Sequence, residues 1–184
     1  LLQTPACSVF AVVTDRHSGG HREIISNWKR GENVSSSIFL GFTSRDQVRF
    51  SDSFSDAGRI RNRDQPFVLS AINSSETSSV FQNASKLSRR DSGLPNRKLG
   101  TPWVIGQQGD INGEFWNGDI AELLVYDRAL SLTEQRQVWS VLLGRYKLQR
   151  FVRTENVAKT DPELLALASL CHVLLNSHEF IYVD

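Results

Sequence analysis

Residues Gly118 to Tyr146 read GDIAELLVYDRALSLTEQRQVWSVLLGRY, and this stretch decides the architecture. Ile120 to Tyr126 is a strand with two largely apolar faces, Ile120, Leu124 and Tyr126 alternating with Ala121, Leu123 and Val125. A strand sandwiched between two layers needs that composition; Glu122 is the one exception. Asp127 and Arg128 break the strand. Ser131 then opens a helix as a capping box, its hydroxyl serving the amide of Glu134 while the Glu134 carboxylate reaches back. Val138, Trp139, Leu142, Leu143 and Tyr146 fall on one stripe at helical spacing, and the helix runs to about Leu148. That face is expected to pack on a sheet or on the end of a sandwich, which makes Trp139 a core residue.

Upstream, short strands are expected rather than helices: Ser8 to Val13, Ile24 to Ser26, Ser37 to Phe42, Gln47 to Ser51, Phe67 to Asn73, Ser78 to Gln82 and Trp103 to Gly106. Polar loops separate them. The longest irregular stretches are Ser51 to Gln65 and Leu87 to Thr101, and loops of a sandwich gather at a rim where ligands are met. No internal repeat is visible.

The strand, turn and helix of Gly118 to Tyr146 resemble the end of laminin-G-like domains of the concanavalin A-like lectin and glucanase superfamily. Bacterial members finish with a glycine-aspartate strand, a tyrosine-aspartate-arginine-alanine-leucine-serine turn and a helix. Ser8 to Val13 (SVFAVV) is similar to the opening strand of those domains, and Pro66 to Asn73 (PFVLSAIN) with Ser78 to Gln82 to their central hairpin. The resemblance covers roughly residues 5 to 150. It implies an all-β fold, a two-sheet antiparallel jelly-roll sandwich with a C-terminal helix after the last strand, and an extracytoplasmic or cell-surface location.

Composition agrees. With 184 residues, 40 % of them hydrophobic, the chain can bury a sizeable core, most simply as one domain over 1–150 with an appendage over 151–184. A net charge of +1 lacks the clustered excess of Lys and Arg that nucleic acid or an acidic membrane surface demands. No apolar run approaches the ~20 residues that span a bilayer, so no membrane insertion is expected. The sequence contains no methionine, and Leu1 and Leu2 do not form a signal peptide, so an excised or processed piece is expected. Cys7 and Cys171 sit near opposite ends; two buried free thiols are the preferred reading, with one clasp between the termini as the alternative.

After Arg150 a polar linker leads to Thr160 or Asp161 as N-cap, Pro162 in the first turn and a second helix, the helical tail. Leu164, Leu165, Leu167, Leu170, Val173, Leu174 and Leu175 make it apolar around most of its circumference, so it requires a further partner surface. Leu170 to Asp184 (LCHVLLNSHEFIYVD) resembles the final residues of planctomycete cytochrome-containing multidomain proteins, which show asparagine where this chain has His178. That likeness implies that 151–184 belongs to a neighbouring domain of a larger parent protein; docking on the sandwich or dimerisation are the alternatives. Covalent haem needs C-x-x-C-H, and Ala168 stands three before Cys171, so Cys171 and His172 read as packing residues.

The superfamily includes glucanases, whose carboxylates alternate along one strand, but no such triplet occurs here. Asp119 and Glu122 lie three apart, hence on opposite faces of a regular strand, and Glu122 is expected to be held by hydrogen bonds from neighbouring loops. His17 and His21 lie in a polar loop without a nucleophile-elbow sequence. Asp110, Asn112 and Glu114 in GDINGEFWNGD offer alternate oxygen ligands for calcium, yet the glycine and the distal glutamate of a calcium loop are missing, and a solvated Asn-Gly turn is preferred. No cofactor is expected.

For a sugar, the requirement is an exposed aromatic plane ringed by planar polar groups. Trp116, between Asn112 and Asn117, fits best, with Trp28 as a further candidate. Arg59, Arg61 and Arg63 point to one side if RIRNR is extended, and there they could meet a sulfated or carboxylated polymer; a self-neutralised loop flanked by Asp56 and Asp64 is the plainer reading. The expectation is a non-catalytic binding module of a multidomain protein with glycans as first ligand class. A structural spacer or protein-interaction domain comes second, and a glycoside hydrolase third.

Overall fold

The structure, a computed structural model, describes residues 2, 5–16, 19–28, 37–95, 102–109 and 111–148. The helical tail expected over 151–184, with Cys171, lies outside the described residues. Among the described residues nine strands precede one α-helix: β1 (Cys7–Val13), β2 (Arg22–Ser26), β3 (Phe39–Phe42), β4 (Val48–Phe50), β5 (Phe67–Asn73), β6 (Ser78–Gln82), β7 (Ser85–Arg90), β8 (Val104–Ile105), β9 (Ile120–Tyr126) and α1 (Leu132–Arg145). They form two antiparallel sheets, one five-stranded in the order β7-β6-β5-β1-β9 and one four-stranded in the order β4-β3-β2-β8. This is the expected two-sheet jelly-roll sandwich with a helix after its last strand.

The opening strand shows why SVFAVV carries no polar alternation. Val9, Ala11 and Val13 join Ile24, Leu40, Phe42, Val48, Phe50, Phe67 and Leu69 in the core between the sheets. Phe10 and Val12 instead join Val68, Ile72, Trp139, Leu142 and Leu143 in a second core under α1. β1 is an inner strand of its sheet, paired on both sides and covered on both faces, so every residue of it is buried.

The helix forms as its cap dictates. The Ser131 side chain accepts from the Glu134 amide, and the Glu134 carboxylate accepts from the Ser131 amide. Trp139 is 3 % exposed, donates its indole N–H to Ser70 Oγ at 2.9 Å and packs edge-on against Phe10.

Three expectations need correction. β9 is covered by a core on each side but is an edge strand, so it is only half-buried rather than enclosed like β1. Its register slips against β1, Val12 facing Glu122 and Val13 facing Ile120, which leaves Ala121 as an extra residue and turns both Ile120 and Leu123 toward the inter-sheet core. Period-two counting therefore fails there. Glu122 is held by the helix rather than by loops, accepting from Arg145 Nη1 at 2.7 Å and from the Tyr146 hydroxyl at 3.1 Å. Finally, Leu87 to Arg90, expected as the start of an irregular stretch, belong to an edge strand, Ser85–Arg90, paired with β6.

Candidate functional site: a charged cleft at the sandwich rim

Arg22 opens β2 and is completely buried, a position a guanidinium holds only when its charge is matched and its donors are used. Asp15, just past the end of β1, takes Arg22 Nε and Nη2 on its two oxygens at 2.9 and 2.5 Å. Asp46 accepts from Nη2 at 2.9 Å, and the Gly20 carbonyl from Nη1 at 3.0 Å. The guanidinium lies over the Phe42 ring, 4.8 Å from its centroid. Asp46 reaches this place because it sits at φ 59 in the turn after β3, closed by Thr43 N–H to the Gln47 carbonyl at 2.8 Å. Its second oxygen pairs with Arg63 at 2.9 Å. Burial works against the Arg22 charge, but Asp15 and Asp46 outweigh it and hold its pKa above the ordinary value. For Asp46, partial burial opposes the charge, and hydrogen bonds from Arg22 and Arg63 override it, so its carboxyl titrates below the usual range.

The Arg59 to Arg63 segment forms the facing wall, though not as an extended strand. Asn62 has φ 49 and its carbonyl accepts from Gln65, which turns the chain. Arg59 is fixed through the backbone, in an isolated antiparallel bridge with Gln47. Ile60 packs against the inter-sheet core. The Gln82 side chain holds Arg61 by both its amide, at 3.0 Å, and its carbonyl, at 2.7 Å. Arg59 and Arg63 thus line one open cleft of about 360 Å³ together with Asp15, Arg22, Asp46 and Asp64, above Phe42 and Ile60; Arg61 is not part of its lining. Of the expected row of three, two meet.

Trp116 is not the exposed plane that a sugar platform requires. It is half-buried against the inter-sheet core, its ring 5.6 Å from that of Phe42 at 33°, and its buried indole N–H has no hydrogen-bond partner among the described residues. Its backbone N–H bonds to the Gly106 carbonyl at 2.9 Å. The side chain that points outward from this loop is Phe115, 53 % exposed. Asn112 and Asn117 are exposed, and Trp28 is half-buried, its amide donating to Ser26 Oγ at 3.0 Å. These positions lie outside the lining of the rim cleft.

A second charged cluster, with no signal in the sequence beyond a glycine in a strand, crosses the four-stranded sheet. Glu23, Gly41 and Arg49 stand side by side on β2, β3 and β4. A Cβ on Gly41 would fall on the Glu23 carboxylate, so glycine is what lets Glu23 and Arg49 meet across the middle strand. Arg49 Nε donates to Glu23 Oε1 at 2.5 Å and Nη2 to Glu114 Oε2 at 2.6 Å. Glu23 is fully buried, and its Oε2 has no partner among the described residues. Burial outweighs the pull of Arg49 and, with Glu114 and Asp52 nearby, pushes the Glu23 carboxyl up to about 8. Glu114 is thereby engaged with Arg49, and Asp110 lies outside the described residues. Among the described residues no three His, Cys, Asp or Glu side chains gather as a metal site would need.

No family model matches this sequence, and no curated protein matches it. Solved structures do. A candidate carbohydrate-binding protein from Bacteroides ovatus superposes with a TM-score of 0.58 at 13 % identity, over 74 % of this chain and 40 % of that one, so this chain spans well under two thirds of its length. Domain 4 of an extracellular arabinanase from Geobacillus stearothermophilus, in complex with arabinotriose, gives 0.54 at 16 % identity over 75 % of this chain and 68 % of that one. The CBM40 of a Ruminococcus gnavus sialidase, bound to α2,3-sialyllactose, gives 0.55 at 14 % identity over 74 % and 82 %. At these identities the likeness is one of fold, the two-sheet jelly-roll sandwich.

Proposed function

We propose that this chain is a non-catalytic carbohydrate-binding module of a larger multidomain protein acting outside the cytoplasm or at the cell surface. The observation that carries the reading is the rim cleft, where rigidly held guanidinium and carboxylate groups surround an opening with Phe42 and Ile60 beneath. Planar groups of both signs read the directions of sugar hydroxyls, because carboxylates accept and guanidiniums donate in fixed geometry. Neighbours of the same fold bind sugars, an arabinotriose in one case and a sialyllactose in another. The carboxylates considered for hydrolysis are engaged: Asp119 with Arg16 and Thr14, Glu122 with Arg145 and Tyr146. Such pairing favours binding over acid-base chemistry.

A glycan array of plant, bacterial and host polysaccharides tests the reading. Binding is expected, weakened by Asp46→Ala, which removes the carboxylate shared by Arg22 and Arg63, and unaffected by added calcium. Silence across the array would instead favour a spacer or protein-interaction domain. Release of reducing sugar, abolished by Glu122→Gln, would establish a hydrolase.

A further inference from the structure

Resting on the glycan-binding reading above, we propose that the rim cleft selects an acidic sugar unit, carboxylated or sulfated, with its anion on Arg59 and its hydroxyls on Asp64. Arg22 has its charge and donors matched by Asp15, Asp46 and the Gly20 carbonyl. Arg63 is paired with Asp46. Arg59 alone among the guanidiniums of the cleft is exposed and has no side-chain partner among the described residues. Asp64, on the same lining, is likewise exposed and without a partner there.

Arg59 is also held ready. Besides the bridge from its backbone to Gln47, its neighbours are locked by Val48 N–H to the Gly58 carbonyl and Ala57 N–H to the Val48 carbonyl, each at 2.8 Å. A guanidinium on a fixed backbone loses less freedom on binding, and its planar fork matches a carboxylate or sulfate through paired, charge-assisted bonds. A neutral sugar leaves that fork facing water. An anion alone, without hydroxyls, leaves Asp64 to repel it. A sugar unit bearing one acidic group and free hydroxyls satisfies both.

The test measures binding of the full 184-residue chain to two matched pairs, polygalacturonate against galactan and dextran sulfate against dextran, by isothermal titration at low and at physiological salt. The expected result is that at least one acidic polymer binds about tenfold more tightly than its neutral counterpart, since hydrogen bonds to charged groups exceed neutral ones by about that factor. Arg59→Gln abolishes the preference and leaves the unfolding midpoint unchanged, while Arg61→Gln, on the same segment but outside the cleft, changes affinity less than twofold. The polygalacturonate and dextran sulfate arms distinguish carboxylate from sulfate. Equal affinity for acidic and neutral polymers overturns the acidic selectivity while glycan binding stands. Equal losses in the Arg59 and Arg61 variants also overturn it, because they reveal diffuse charge attraction. Binding to none of the four, nor to any array glycan, overturns both readings.

Discussion

Arg22 and Arg49 stand in clusters built alike and charged differently. Each guanidinium covers a phenylalanine ring, Arg22 that of Phe42 at 4.8 Å and Arg49 that of Phe39 at 4.5 Å. Each is paired with two carboxylates, Asp15 and Asp46 in the first case, Glu23 and Glu114 in the second. At the rim a second guanidinium, Arg63, shares Asp46, so two cations meet two anions and both oxygens of the buried Asp15 are used. On the four-stranded sheet one cation meets two anions, and Glu23 Oε2 has no partner among the described residues. Both sites bury a carboxylate completely. In the second cluster burial outweighs the single cation, and Glu23 retains a proton near neutrality.

The largest effect expected from this difference comes from removing each arginine. Arg22→Met removes the guanidinium that meets both oxygens of the fully buried Asp15 and should cost about 3–5 kcal/mol in urea unfolding at pH 7, the usual loss when one partner of a buried pair is deleted. Arg49→Met should cost less, about 1–3 kcal/mol, because Glu23 can remain protonated and Glu114, whose side chain is 28 % exposed, can reach water. Equal losses would mean that the two clusters are energetically equivalent and the comparison is wrong.

Trp116 gives a smaller effect that sharpens the same contrast, since its ring packs against Phe42, the ring that carries Arg22. Trp116→Ala leaves a void there and should lower stability by about 2–3 kcal/mol, below the range for a fully buried tryptophan because this one is half-buried. The thermal unfolding midpoint measures it. An unchanged midpoint with lost glycan binding would show that the ring serves as a sugar platform after all.

What the sequence disclosed follows the range of each interaction. Ile120–Tyr126, Phe67–Asn73 and Ser78–Gln82 are strands with the limits that their apolar runs predict, and the Ser131 cap starts the helix where local hydrogen-bond chemistry requires. β7 was hidden because its hairpin turn, Asn83-Ala84, places an alanine at φ 64 where glycine is the usual signal, and because SKLSRR has the polar composition of an edge strand. The rim cluster was illegible for another reason. Nothing local to Asp15, Arg22, Asp46 or Arg63 says that strand ends will bring them together; the sheet topology does. That Phe115 rather than Trp116 is the outward ring likewise follows from loop conformation, which composition does not encode.

The smallest effects concern pH, and they separate the two clusters by window. Glu23 has its folded pKa raised from 4.5 to about 8, so between those values the folded state binds more proton than the unfolded one. Stability therefore falls as pH rises from about 4.5 to 8, and Glu23→Gln, which mimics the protonated acid, should flatten that slope. Asp46 is shifted the opposite way: its folded pKa lies below 3.8, so its contribution is present at neutral pH and is lost as pH falls through the folded value. Because its side chain is 36 % exposed and screened, Asp46→Asn should cost under about 1 kcal/mol at pH 7, and the difference from the parent chain should vanish in strong acid. Unfolding free energies of both variants and the parent from pH 3 to 9 measure both slopes. If the parent and Glu23→Gln curves run parallel between pH 4.5 and 8, Glu23 is ionised throughout, and a single cation suffices for both acids.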